Sequence, residues 1–338
     1  MNSTELYKEY VTKMQQIADV KYASAVLQWD QETYLPPKGN DMRGRQIATL
    51  NEIAHQKFAN EQVGALLNEL MAADDLSDTQ KRNVQLSLYD YTRANKFTSD
   101  FVRTMTETVN KSFHAWILAR KENSFATFQQ PLNELIQLKK QEADILGYAS
   151  HPYDALMNDY DKGLTVAITD KIFTGLKPQL TILLNEIENK TQVDDSFLHQ
   201  HFDKDSQWKF GMEILKRLNF DFEAGRQDIS EHPFTTNFNS SDVRVTTRID
   251  ENDFGNMTWS CIHEGGHALY EQGLPGKQYG LPLGEYCSLS IHESQSRLWE
   301  NCIGRSLPYW EYEYPLLQSY FPEQLKQIDI NRFYKGIN

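Results

Sequence analysis

Cysteine is scarce in this chain: Cys261, Cys287 and Cys302 are the 3 among 338 residues, and no two form a CxxC pair. Three thiols cannot all pair, so a disulfide-stapled scaffold is excluded, and the low count fits a reducing, cytoplasmic compartment. All three are expected to be small apolar packing residues. Glycine (17) and proline (11) are also sparse, and neither a low-complexity tract nor an internal repeat divides the chain. No apolar run approaches the roughly 18 residues a membrane span needs. The first residues, MNSTELYKEYVTKMQQ, are polar and amphipathic, unlike an export signal. Positive charge is short as well. The formal net charge is -13, which argues against nucleic acid and anionic membranes as partners, since both require a basic surface.

What is present is helix-forming sequence with enough apolar content, 40%, to bury a large core. Amphipathic spacing predicts helices over Leu6–Trp29, Arg43–Phe58, Glu61–Ala73, Asp78–Phe97, Ser99–Asn123, Phe125–Leu146 and Thr169–Lys190, separated by breaks such as Pro36-Pro37-Lys38-Gly39. The stretch Leu27–Gly39 gathers Trp29, Asp30, Glu32 and Tyr34 at a helix-to-loop junction. It reads either as a cleft wall or as a helix end packed by aromatics, with Asp41 capping the next helix. After Asp221 the pattern changes. His232–Phe238 and Asp242–Ile249 alternate and carry β-branched residues, which predicts a small antiparallel sheet. Asp242, Arg244, Thr246 and Arg248 share one face of the second strand. As an edge strand with a polar face, it is expected to hold an extended peptide. The expected fold class is mainly α, a single catalytic domain with a helical lobe over 1–220 and the sheet and later helices over 221–338.

The sheet leads into Cys261-Ile262-His263-Glu264-Gly265-Gly266-His267. On a helix His263 and His267 stand one turn apart on one face, so both imidazoles can reach one metal ion. Glu264 is offset by about 100 degrees, close enough to a metal-bound water to act as general base. Asn256 is the expected N-cap, and Gly273 before Leu274-Pro275 the stop signal. Two glycines inside the helix each cost about 1 kcal/mol relative to alanine. Their presence predicts that something approaches the backbone closely there, an adjacent helix or a ligand.

A catalytic zinc takes three protein ligands and keeps one position open. A third histidine at the HExxHxxGxxH spacing is excluded, because Tyr270 and Gly273 occupy those places. The acidic candidates are Glu271, Glu285, Glu293 and Glu300. Glu271 lies too far along the same helix, whereas Glu293 sits in a helical pattern that can return antiparallel, and it is the expected ligand. His292 and Gln295 are the expected outer partners that fix the ligands by hydrogen bonds.

The set Asp242-Val-Arg244-Val-Thr246, His263-Glu264-Gly-Gly-His267 and His292-Glu293-Ser294-Gln295 resembles the signature of the thermostable carboxypeptidase Taq family of metallocarboxypeptidases. The Trp29-Asp30 to Gly39 region is similar as well, so the resemblance runs over essentially the whole chain. It implies zinc, replaceable by cobalt, on His263, His267 and Glu293, with Glu264 as base. It further implies a mostly helical fold with a deep groove, a homodimer, and removal of single C-terminal residues from peptides with broad tolerance. Asp242, Arg244 and Thr246 are the expected substrate-binding residues. Members of that family continue beyond the point matched by Asn338, through an Ile/Val-Arg segment and a Gly-x-x-Gln-Asp-x-His-Trp segment. The chain therefore reads as truncated, with reduced activity expected. The rival readings are an oligopeptidase that cuts internal bonds of short peptides and a non-catalytic helical peptide-binding module.

Overall fold

The computed structural model describes residues 2–338. They form two compact units, one comprising residues up to Gly163 together with Leu274–Cys287, the other Leu164–Gly273 with Ser288–Asn338. The chain passes from one unit to the other at 163/164, 273/274 and 287/288, not at the lobe boundary expected near residue 220.

The first unit is helical: α1 (Ser3–Thr33), α2 (Asn40–Phe58), α3 (Glu61–Met71), α4 (Asp78–Ala94), α5 (Ser99–Glu122), α6 (Phe125–Leu146) and α7 (Pro152–Met157). Helices α1, α3, α4 and α5 begin where short polar side chains satisfy orphan N–H groups. Asn2 and Glu5 form a reciprocal capping box on α1, and Ser77 and Gln80 do so on α4. The apolar faces of α1, α3 and α4 bury Leu6, Tyr10, Val63, Leu67, Leu70 and Val84 in one cluster, closed by Leu281. At the end of α1, Trp29 is buried and tilts against Tyr34 at 5.6 Å, while Arg43 pairs with Asp30 and donates to the Leu27 carbonyl at 3.0 Å. The junction is a helix end packed by aromatics. Asp41 does not cap α2, whose N-cap is Gly39 without a side-chain bond.

The second unit contains α8 (Val166–Glu188), α9 (Lys204–Arg217), β1 (Gly225–Ile229), β2 (Thr235–Asn239), β3 (Asp242–Thr247), α10 (Phe254–Gln272), α11 (Leu289–Arg297), a π-helical turn (Leu298–Ile303), α12 (Leu307–Tyr320), α13 (Pro322–Leu325) and α14 (Ile330–Gly336). Its core is aromatic, with Phe202, Phe210, Phe254, Trp310, Phe321 and Phe333 all nearly inaccessible.

The sheet departs from expectation in two ways. Its order is β1-β3-β2, with β1 parallel and β2 antiparallel to β3, so it is mixed and not purely antiparallel. β3 is consequently the central strand; both of its edges are paired, and it cannot receive a peptide by edge addition. Val243 and Val245 point from β3 into a cluster with Leu215 of α9 and Ala268 of α10, which lays α10 across the sheet.

Candidate active site

α10 begins with Asp253 as its N-cap, the carboxylate accepting from the Gly255 N–H at 2.9 Å. The expected cap, Asn256, is already inside the helix. The middle of α10 is packed on two sides, and the two glycines allow it. A Cβ on Gly265 would stand 2.9 Å from Leu215 Cδ2, and one on Gly266 would stand 2.8 Å from the Ser296 Cα and 3.0 Å from the Gln295 carbonyl oxygen. Gly266 is therefore where the backbone of α11 crosses α10 without an intervening side chain.

That close crossing delivers Glu293 to the histidines. Glu293 Oε2 lies 3.6 Å from His263 Nε2 and 3.4 Å from His267 Nε2. One donor atom from each of the three residues lies within 4.8 Å of the others. Two ligands at about 2.05 Å from a tetrahedral zinc are separated by about 3.4 Å, so the spacing suits a divalent metal, and two imidazoles with a carboxylate are an apt donor set for zinc. Of the four acidic candidates, Glu293 is the one that joins the two rings.

Each residue of the cluster is held from behind. Glu293 Oε1 accepts from Arg297 Nε at 2.7 Å, and the Ser296 hydroxyl lies 3.1 Å from Oε2. Burial alone would raise the Glu293 carboxyl, but Arg297, His263 and Ser296 outweigh it and keep the group ionised. His263 Nδ1 meets Glu300 Oε2 at 2.8 Å. Glu300 reaches that point because the chain after α11 winds into the π-helical turn, and Arg297 Nη1 steadies the same oxygen at 3.2 Å. The His263 bond, before any opposing burial, holds Glu300 below the usual carboxylate range. His267 Nδ1 faces His292 Nδ1, and His292 Nε2 in turn meets Glu271 Oε1 at 2.6 Å.

The two metal-facing rings differ electrostatically. Burial, then the neighbouring His292 and His263, push His267 down to about 4, so it is neutral at neutral pH, the form in which an imidazole can bind a metal. Burial also opposes charge on His263, but the bond from Glu300 and the nearby Glu264 and Glu293 prevail and raise it.

Glu264 is buried, and Thr235 of β2 donates to its Oε2 at 2.7 Å. Burial raises its carboxyl, partly opposed by the Thr235 hydroxyl and by His263. Two residues along the same strand, Asn237 Nδ2 donates to Glu271 Oε2 at 2.6 Å. β2 thus runs beside α10 and holds two of its acids from one strand face.

Three expected assignments change. Gln295 contributes its backbone carbonyl to the α10 crossing, while its side chain makes no hydrogen bond among the described residues. Thr246 is 1% exposed, its hydroxyl taken up by the Phe234 N–H at 2.9 Å and by Ser230 at 2.7 Å, so it pins the strand and offers no surface to a substrate. Cys261 is buried as expected, but Cys287 and Cys302 are exposed and are not packing residues. Asp242 and Arg244 do come together, in a two-pronged pair at 2.9 and 3.0 Å, with the guanidinium 4.8 Å from the Phe238 ring centre. Sequence reasoning missed the roles of Thr235, Asn237, Glu271 and Glu300. An acidic residue one turn past His267 on the same helix face was the available signal for Glu271.

The comparisons with known proteins bear on the family. The family described as carboxypeptidase Taq (M32) metallopeptidase matches residues 9–338. The chain belongs to the carboxypeptidase Taq family. Within that family it is similar to carboxypeptidase 1 of Bacillus subtilis, 34% identical over 98% of this chain and 66% of that protein. It is also similar to thermostable carboxypeptidase 1 of Thermus thermophilus, 33% identical over 100% of this chain and 69% of that protein. The crystal structure of the M32 carboxypeptidase from Deinococcus radiodurans R1 superimposes with a TM-score of 0.90 at 34% identity, covering 99% of this chain and 67% of that one. This Taq-family chain therefore spans about two thirds of the length of the relatives it matches. No helix among the described residues is long and apolar enough to cross a membrane.

Proposed function

We propose that this chain carries the catalytic metal centre of a carboxypeptidase that releases single C-terminal residues from peptides with broad side-chain tolerance. The observation that carries the proposal is the convergence of His263, His267 and Glu293 beside a buried Glu264, each held by a partner of its own. Zinc, with cobalt as a substitute, is the metal this donor set favours. When bound, it supplies Lewis acidity toward water and toward the scissile carbonyl.

The remaining work falls to the side chains. Glu264, ionised, accepts a proton from the attacking water and returns it to the leaving amine. Its burial makes it a stronger base than an exposed glutamate, and Thr235 fixes the direction of its lone pairs. Asp242 and Arg244 form a preset pair whose guanidinium can meet a substrate carboxylate. Arg248, just past the end of β3 and in no ion pair among the described residues, is a second cation near it in sequence. A homodimer and a cytoplasmic setting, in keeping with three unpaired cysteines, complete the proposal.

The test pairs a free-acid peptide with its C-terminally amidated twin. A carboxypeptidase cleaves the first and spares the second; equal cleavage of both would replace this reading by an oligopeptidase. Glu264→Gln should abolish turnover while zinc content stays at one equivalent, and loss of zinc in that variant would remove the base assignment.

A further inference from the structure

Glu271 is an anomaly on α10. It is 3% exposed, carries a carboxylate that makes no contact with the three ligands, and a buried carboxylate needs partners for both oxygens. Its partners are specific: His292 Nε2 on Oε1 at 2.6 Å and Asn237 Nδ2 on Oε2 at 2.6 Å. His292 is nearly enclosed as well, with Tyr270 edge-on at 5.3 Å, and its second nitrogen faces His267 Nδ1.

The donor and acceptor roles along this chain follow the histidine tautomers, and the carboxylate end constrains them. An ionised carboxylate only accepts, so His292 must present N–H from Nε2. A neutral His292 then accepts at Nδ1, and His267 must donate from its own Nδ1. Its Nε2, the atom facing Glu293, is left as a bare lone pair. The opposite tautomer of His292 would donate to His267 Nδ1, move the proton of His267 to Nε2 and block the ligand position. His263 needs no such chain, because Glu300 meets its Nδ1 directly.

We propose that Glu271 and Asn237 are positioning residues for the metal. Through His292 they set the tautomer of His267, so that strand β2 governs the ligand as well as the base Glu264. This rests on the metal-site reading above.

The experiment measures zinc dissociation constants of the 338-residue chain by chelator competition, the visible spectrum of its cobalt form, and thermal unfolding without metal. Glu271→Gln keeps the shape but can offer His292 a donor in place of an acceptor. Zinc affinity should fall about 10- to 100-fold, the cobalt bands should shift, and the metal-free melting temperature should stay unchanged. Asn237→Ala, which leaves Glu271 in place, should weaken zinc in the same direction by about 3- to 10-fold and serves if Glu271→Gln disturbs folding. Affinities within twofold of the parent in both variants, with superimposable cobalt spectra, would overturn the relay. His263→Ala separates the two levels. If it loses zinc while the other variants do not, only the relay fails; if it too retains zinc, the metal site itself is wrong.

Discussion

Gly266→Ala is the smallest change that should disable the metal centre, since it adds one methyl group 2.8 Å from the Ser296 Cα and 3.0 Å from the Gln295 oxygen. Both obstacles are backbone of the segment that carries Glu293. To reach the 3.4 Å of ordinary contact, α11 must retreat by about 0.6 Å, roughly three times the ±0.2 Å that a metal site tolerates. Overpacking of this kind stores about 1–3 kcal/mol, offset in the helix by about 1 kcal/mol gained in replacing glycine. The metal-free protein should therefore melt within a few degrees of the parent. Zinc binding demands the close crossing and must oppose the whole strain, so affinity should fall about 5- to 150-fold. Gly265→Ala is the control: its Cβ meets Leu215 Cδ2 at 2.9 Å and Leu218 Cδ1 at 3.3 Å, both ends of side chains that can turn aside. Chelator competition on the two variants gives the answer. Zinc affinity in Gly266→Ala within threefold of that in Gly265→Ala would refute the idea that the glycine sets the ligand spacing.

Other perturbations test separate parts of the structure. Thr235→Val removes the hydroxyl that donates to Glu264 at 2.7 Å; hydrogen bonds to charged groups contribute about 1.5–3 kcal/mol, so kcat should fall about tenfold or more at constant zinc content, and an unchanged kcat would dismiss the orienting role. Glu300→Gln should weaken zinc about tenfold through His263, read by the same competition assay. Burial lifts Glu32, in the first unit, to about 7 from 4.5. Because the folded state holds this proton more tightly than the unfolded one, the associated stability is full below about pH 4.5 and is lost as pH rises through about 7, by at most about 3 kcal/mol. Glu32→Gln should remove that slope, and urea titrations at pH 5 and 8 showing the same pH dependence as the parent would contradict it.

The histidine pair of the proposed metal site was legible in the sequence because its geometry is local. A helix with histidines four apart needs no tertiary information, and the glycines announced the crossing that Ser296 and Gln295 now occupy. Glu293 followed from residue type and from a return helix. What could not be read depends on neighbours far away in the chain. β1, with the sequence GRQDI, carries little strand character of its own and is recruited by parallel pairing to β3. The mixed sheet, the central place of β3 and the burial of Thr246 follow from that pairing. Asp253 displaced Asn256 as the cap because the helix could extend one turn earlier into the Phe202–Phe210 core through Phe254. Glu300, weighed as a ligand, sits behind His263 because the helix changes pitch, which side-chain periodicity does not encode.

That change of pitch has a consequence for how the chain tolerates length variation. The coil over Leu298–Ile303 accommodates one residue more than an ordinary turn. Deleting a single residue there would let the helix revert to regular winding and swing the Glu300 side chain about 100° round the axis. The imidazole it braces would then be free to spin, with every atom of the ligand set still encoded and nothing else in the core disturbed.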